Sequence, residues 1–323
     1  MSTPEASGRH LAFCAEASYE RLDVFLSQQT SVIRTRSQAQ RLIRDGFVAV
    51  NGSLRKSAQP VHVADVVTVF IPEDTPSPQA EDLPLNILYE DSDVLVIDKP
   101  AGMVVHPAPG HSEHTVVNAL LGRYPGLDCG DAVRPGIVHR LDKDTSGIMV
   151  IALHREARDW LIAQFKSGAV HKVYLALVVG LPEREGRIEG AIGRHPLHRK
   201  RMALVPTGKP AQTSYSALEW LGGYTLVEAR PATGRTHQIR VHFSSIGHPI
   251  AGDRTYGGHA AWRSLEPVLQ RHFLHATSLT FRMPCTATER TFTSPLPPDL
   301  QKALSLAREL ADGKPCPPHS DVV

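Results

Sequence analysis

Between Arg134 and Leu153 the chain reads RPGIVHRLDKDTSGIMVIAL: two apolar ends around a polar centre, HRLDKDTSG, with two acids, two bases and two hydroxyls in a turn. Both ends read as strands, and a polar loop held between buried strands is a common seat for catalytic groups. Asp144, Thr145 and Ser146 suit a structural role, bonding the backbone of the turn. Arg140 and Asp142 are left over. Two positions apart on extended chain, they face the same side and can meet one small target. A carboxylate in a site that excludes water tends to protonate, so an Asp142 acting as nucleophile or base needs a cation beside it. Asp142 and Asp144 make a poor glycosidase pair. Such carboxylates stand about 5–9.5 Å apart across the scissile bond, which two acids in one tight turn do not achieve.

Other chemistries lack their signatures. The chain has no dinucleotide fingerprint and no P-loop, so no nucleotide cofactor is expected. His106, His111 and His114, with Glu113, match no ligand spacing and have no cysteine near, so no metal is expected either. Tyr174 lies in Val170–Val179, a strand whose alternation puts Lys172, Tyr174 and Ala176 on one face. A tyrosine in a strand is ordinarily core packing with its hydroxyl satisfied.

The elements that must position these residues are mostly short strands. From Leu85 onward they are Leu88–Glu90, Val94–Ile97, Ile148–Leu153, Val170–Val179, Thr213–Leu218 and Thr225–Ala229. Thr115–Tyr124, Arg155–Lys166 and a piece beginning near Thr236 read as helices. Many strands and few helices without strict alternation predict an α+β fold with a mixed, mainly antiparallel sheet. A smaller α+β module precedes it. It has a helix from Tyr19, a second helix from Ser37 with Gln40 completing a capping box and Gly46 closing it, an Asn51-Gly52 hairpin, and a strand from Val61 to Ile71. The expected layout is a flexible tail over 1–16, the small module over 17–72, an acidic solvated linker over 73–84, the large domain over 85–305, and a second flexible tail over 306–323.

Charge is distributed unevenly although the formal net charge is only +2. Ser31 to Lys56 holds six basic residues, Arg34, Arg36, Arg41, Arg44, Arg55 and Lys56, against the single acid Asp45. Glu73 to Asp98 holds eight acids and no base. A basic face of this kind fits contact with nucleic-acid phosphates. A second basic run, Arg194 to Lys209, includes Arg199, Lys200 and Arg201 and fits the same use. The four cysteines are scattered, no apolar run approaches the roughly 20 residues that span a bilayer, and no secretory signal is legible at the N-terminus. A cytoplasmic protein with no membrane partner is expected.

Four blocks together resemble the RluA-type pseudouridine synthases. His139-Arg140-Leu141-Asp142-Lys143-Asp144-Thr145-Ser146-Gly147 is similar to the family's central motif, and Asp98 to Pro107 to its opening block. Lys172 to Val178 is similar to its tyrosine strand, and Thr233 to His242 to its arginine motif. Arg21-Leu22-Asp23, Arg41-Leu42-Ile43 and Val48 to Gly52 resemble the S4 RNA-binding domain. The Gly208–Thr213 stretch and the S4-plus-catalytic layout look closest to RluD-like enzymes of the large-subunit ribosomal RNA branch.

The resemblance implies an isomerase that breaks the glycosidic bond of a uridine in RNA, turns the uracil and rejoins it through carbon. That conversion is neither redox nor hydrolysis, which agrees with expecting no cofactor. It implies Asp142 as the reacting carboxylate, Arg240 as a cation holding it in a fixed two-point geometry, and Tyr174 as a ring stacked on the uracil whose hydroxyl assists proton transfer late in the reaction. It also implies Arg140 as the residue that fills the space left by a flipped base. Expected partners are large-subunit ribosomal RNA or a pre-ribosomal particle. The same chemistry on transfer RNA, and a non-catalytic RNA-binding assembly factor, stay open at this point.

Overall fold

A computed structural model describes residues 8–29, 33, 35–72, 78–107, 111–131, 133–198 and 201–312. Its chain divides into two compact units, Met1–Ser77 and Pro78–Val323.

The first unit packs helices α1 (Leu22–Gln29) and α2 (Arg36–Arg44) on a sheet of β1 (Gly8–Cys14), β2 (Val48–Val50), β3 (Ser53–Leu54) and β4 (Val66–Pro72), in the order β1-β4-β2-β3. Leu22, Phe25 and Leu26 from α1 meet Ala39, Leu42 and Ile43 from α2 and the inward valines of β2 and β4 in one core. Asn51 and Gly52 both take positive φ, 50° and 75°, as the tight hairpin between β2 and β3 requires. Between the helices lies Asp23, fully buried. It accepts two hydrogen bonds from Arg21 at 2.9–3.0 Å, one from Arg36 at 3.3 Å and one from Gln40. These donors, Arg21 first, hold its carboxyl well below the usual carboxylate range against the opposing effect of burial.

Three expectations for this unit need correction. The 1–16 stretch is not all tail, because Gly8–Cys14 pairs antiparallel with β4 along its whole length. An edge strand held by backbone hydrogen bonds leaves little apolar pattern, and only Leu11 and Phe13 turn partly inward. The second helix is capped by Thr35, whose side chain accepts from Gln38 N, two residues before the expected Ser37 box. Gln40 reaches Asp23 instead. The last strand begins at Val66, and Val61 makes only an isolated bridge with Tyr19.

The second unit is built on one ten-stranded sheet. Its strands are β5 (Ile87–Glu90), β6 (Val94–Lys99), β7 (Ser146–Ala152), β8 (His171–Val179), β9 (Glu185–Arg194), β10 (Met202–Leu204), β11 (Lys209–Trp220), β12 (Tyr224–Pro231), β13 (Leu274–Arg282) and β14 (Glu289–Thr293). The order is β10-β9-β11-β12-β8-β13-β7-β6-β5, with β14 beside β13. Every neighbouring pair is antiparallel except β13 with β7, which run parallel through His275–Ser146 and Ala276–Gly147. Helices α3 (Val116–Arg123), α4 (Arg155–Ser167), α5 (Gln238–Ser245) and α6 (Pro298–Ala311) complete the unit. The fold is α+β with a mainly antiparallel sheet. Strand β7 is buried at every position, consistent with its apolar run Ile148 to Ala152.

Here too the margins differ from expectation. Residues 73–77 of the expected linker lie outside the described residues, but Gln79–Leu83 is packed along α3. Asn118 donates to Gln79 O at 2.8 Å and accepts Glu81 N at 3.0 Å through its own carbonyl. A Cβ on Gly122 would stand 2.1 Å from Glu81 O, so the close approach requires glycine. The expected C-terminal tail starts inside α6, which buries Leu300, Ala303, Leu304 and Ala307 at helical spacing. Two of those four are alanines, which weigh little in an apolar pattern. Arg134–His139 is not a strand; Ile137 makes a single bridge with Ile151.

Candidate active site

Asp142 sits in the turn between the Ile137 bridge and β7, and several buried groups fix that turn. Thr145 N closes it on Asp142 O at 3.1 Å. Lys99, fully buried at the end of β6, points its ammonium at the carbonyls of Pro100, Met103 and Lys143 at 2.7, 2.9 and 3.1 Å. Gly102 N also donates to Lys143 O. Burial pulls the Lys99 ammonium down to about 7. Thr145 and Ser146 were expected to bond the turn backbone. Their hydroxyls instead meet His272 Nε2 at 2.8 Å and His275 Nδ1 at 3.0 Å. Arg271 donates to Asp144 O and to Ser146 Oγ, and its guanidinium is paired with Asp299 on α6. At Gly147, φ is +116° and a Cβ would lie 2.2 Å from Ala276 O. Only glycine lets β7 approach β13 this closely.

The loop opens on a cavity of about 920 Å³ that also holds Tyr174, Lys172, His237 and Arg240. Arg240 comes from α5. Its Nη1 donates to Asp142 Oδ2 at 3.2 Å, while its Nε and Nη2 bind Asp253 Oδ2 and Oδ1 at 2.7 and 3.0 Å. The expected two-point grip therefore exists, but on Asp253, and Asp142 receives a single hydrogen bond. Asp253 is 1% exposed and also accepts the amides of Thr255 and Tyr256. Burial works against its charge, but Arg240 outweighs burial and holds the carboxyl below its usual range. Burial likewise opposes the charge of Arg240, and the hydrogen bonds and charge of Asp253, with Asp142 beside them, more than offset it. The result is a guanidinium fixed in place by Asp253 and aimed at one oxygen of Asp142.

Tyr174, on β8, faces the same cavity, as does Lys172, whose ammonium donates to Thr233 O at 3.1 Å. Burial, with the Asp142 charge adding, pushes the Tyr174 hydroxyl up, so it keeps its proton across neutral pH. Arg140 is exposed at the cavity edge and forms no ion pair among the described residues. Arg134, Lys166 and Arg235 line the same opening, so its rim is cationic. A carboxylate, a fixed guanidinium and a protonated phenol inside a cationic rim can act on the sugar of a polyanion whose base lies within the cavity.

Comparison with known proteins agrees with this geometry. Residues 93–245 match the RNA pseudouridylate synthase family and residues 20–67 the S4 domain. An uncharacterized RNA pseudouridine synthase of Chloroflexus aurantiacus is 47% identical over 95% of both chains. The ribosomal large subunit pseudouridine synthase D of Pseudomonas aeruginosa is 42% identical over 91% of this chain and 94% of its own. The chain belongs to the RNA pseudouridylate synthase family. Among solved structures, human RNA pseudouridylate synthase domain containing 1 superposes with a TM-score of 0.55 at 31% identity, covering 69% of this chain and 89% of its own.

This synthase is thus an isomerase acting on RNA, with an S4 domain ahead of its catalytic unit. Asp142, Tyr174, Arg240 and Arg140 converge on one cavity, as their motifs implied. Sequence reasoning missed Asp253, Lys99, His272 and the rim cations Arg134, Lys166 and Arg235. For Asp253 the available signal was an acid between Gly252 and Gly257, one residue after the apolar pair Ile250-Ala251. The basic residues assigned to RNA are less uniform than expected. Arg34, Arg199 and Lys200 lie outside the described residues. Arg36 is tied to Asp23 and Arg44 to Asp45, while Arg201 bonds Thr255 O and faces the Tyr256 ring. Lys56 is exposed.

Proposed function

We propose that this synthase isomerises uridines of large-subunit ribosomal RNA, with Asp142 as the reacting carboxylate. The observation that carries the reading is the single Arg240–Asp142 hydrogen bond at 3.2 Å, set in a cavity whose rim is cationic. Asp142 attacks C1′ or takes a proton from C2′; on either route Arg240 orients the carboxylate and Tyr174 supplies a flat face for the uracil. The target base must leave the helix to reach this depth, and Arg140 at the rim is placed to fill the space it leaves. Arg41, Arg44 and Lys56 of the S4 domain, with Arg36 in part, grip the phosphates. The choice of ribosomal RNA rests on relatives named ribosomal large subunit pseudouridine synthase D, at 42–43% identity in Pseudomonas aeruginosa and Nitrosomonas europaea. The isomerisation is redox-neutral and consumes no water, so no nucleotide or metal cofactor enters the scheme, and a cytoplasmic enzyme without a membrane partner fits the substrate.

The test is a map of pseudouridines in ribosomal and transfer RNA from a strain lacking the gene, complemented with wild type or Asp142→Asn. Sites in large-subunit RNA should vanish on deletion and return only with wild type. Loss confined to transfer RNA would overturn the substrate, and restoration by Asp142→Asn would overturn the role of the carboxylate.

A further inference from the structure

His237 precedes α5 with its backbone in the left-handed region, φ 56°. A residue with a Cβ is strained there by roughly 1 kcal/mol or more, and such strain persists only where the surroundings impose it. The ring enters the cavity. Nδ1 lies 2.8 Å from Tyr256 Oη, and Nε2 lies 3.9 Å from Asp142 Oδ2. Tyr256 Oη already accepts the amide of Met202 at 2.9 Å. If the phenol donates its one proton to Nδ1, the one polar hydrogen of this chain of groups left without an acceptor is Nε2–H, which faces the cavity and the Asp142 carboxylate. The neutral imidazole then carries its own proton on Nε2. The reverse assignment leaves the phenol proton without an acceptor among the described residues and also turns the bare Nε2 lone pair toward the Asp142 carboxylate, which disfavours it electrostatically. Burial holds His237 below the ordinary imidazole range, which agrees with a neutral ring.

We propose that His237, through Nε2–H, hydrogen-bonds the uracil carbonyl beside the glycosidic bond, both before and after the base turns. The inference rests on the reading that Asp142 acts at the sugar of a uridine. At 3.9 Å from the carboxylate, Nε2 is too far for a direct hydrogen bond. It is near enough to reach an oxygen lying against the carbon that Asp142 acts on. Of the two uracil oxygens, O2 is the nearer to C1′, because C2 is bonded to N1. When C1′–N1 breaks, the electron pair leaves on the uracil and spreads over N1, O2 and O4. A fixed donor at O2 stabilises that charge as it develops. Half a turn about the line through N3 and C6 exchanges N1 with C5 and C2 with C4. O4 then stands where O2 stood, and the same donor holds the base while C5 bonds to C1′. The C5 proton is finally lost, N1 gains one, and His237 keeps its own throughout.

The experiment uses a target RNA carrying uridine, 2-thiouridine or 4-thiouridine at the modified position, with single-turnover rates and RNA affinity measured for each variant. Sulfur accepts hydrogen bonds weakly, so 2-thiouridine should slow bond cleavage by the wild type, and 4-thiouridine should slow rejoining. His237→Ala should lower the rate on uridine by about 10²-fold, as loss of one preorganised donor does, with RNA affinity and melting temperature nearly unchanged. It should also lose most of its sensitivity to either sulfur. His237→Gln offers an amide donor and should recover much of the rate. Tyr256→Phe frees the proton to move to Nδ1 and should reduce sulfur sensitivity without losing the fold. Sulfur effects of equal size in wild type, His237→Ala and His237→Gln would overturn the inference, as would near-normal turnover of uridine by His237→Ala. A wild type that converts no uridine in any RNA would instead overturn the function on which it rests.

Discussion

Asp253 explains how Arg240 can serve Asp142 without being consumed by it. Two of the three guanidinium nitrogens are fixed on a fully buried carboxylate, which leaves Nη1 as a preset donor. Asp253→Asn keeps the shape but removes the charge opposite a buried cation. Removing one partner of a buried pair costs about 3–5 kcal/mol, and the retained amide oxygen should hold the loss near the lower end. Chemical denaturation should show that loss, and single-turnover rates should fall by about tenfold or more because the guanidinium then swings toward Asp142. An unchanged rate would mean that Asp253 only fills the core. At Tyr174 the ring and the hydroxyl separate cleanly. Tyr174→Phe should bind RNA within about threefold of wild type while product forms at least about tenfold more slowly, a typical loss when a proton-transfer group is removed. The hydroxyl is held above its usual range by burial and by Asp142, so the wild-type rate should show no titration of Tyr174 near neutral pH.

The Asp142 turn is held from three sides: β6 through Lys99, β13 and the residues just before it through His275 and His272, and α6 through the pairing of Asp299 with Arg271. A tight point is the parallel contact of β7 with β13 at Gly147. Gly147→Ala would place a methyl group 2.2 Å from Ala276 O at a φ of +116°. Overpacking of this kind with a strained backbone should destabilise the unit by about 3 kcal/mol. The melting temperature should drop, and modification should fall further than stability alone explains, since the strand that shifts carries the Asp142 turn. A variant with wild-type melting and activity would show that the strands separate easily.

Among the described residues of the catalytic unit, burial holds six histidines below the ordinary imidazole range, and four of them far below it, His106 and His242 at about 4 and His139 and His272 at about 3. Their unfolded-state value is about 6.5. Between those values the unfolded chain binds more protons, so stability rises with pH and is lost as pH falls below about 6.5. At pH 5 each of those four contributes a loss of about 2 kcal/mol. Thermal melts from pH 7 to pH 5 should therefore fall steeply before the carboxylates begin to titrate, and a flat profile would contradict the neutral buried rings. At the same scale, Arg41→Ala with Arg44→Ala tests the S4 domain as a phosphate grip. RNA affinity should weaken, the salt slope should flatten by roughly 0.7–0.9 per lost contact, and the saturated single-turnover rate should hold. An unchanged slope would leave the basic face as solvated surface.

The family, its chemistry and the four residues that meet in the cavity were legible in the sequence, because each motif is local. HRLDKDTSG, the Tyr174 strand and the Thr233–His242 block each carry one or more of these cavity side chains within a few residues of its own signature. So were the β-strands with clean apolar runs, such as β6 and β7. What only the tertiary structure decided is which charge each cation serves. Arg240 divides between Asp142 and Asp253, 98 and 13 positions away, and Arg36 turns to Asp23. Those pairings follow from distance in space and from the demand that a buried charge be matched, and neither leaves a period or spacing along the chain. Strand β1 and helix α6 were hidden for a related reason: one is held by backbone hydrogen bonds and the other partly by alanines, and both kinds of contact are nearly silent in a pattern of apolar side chains.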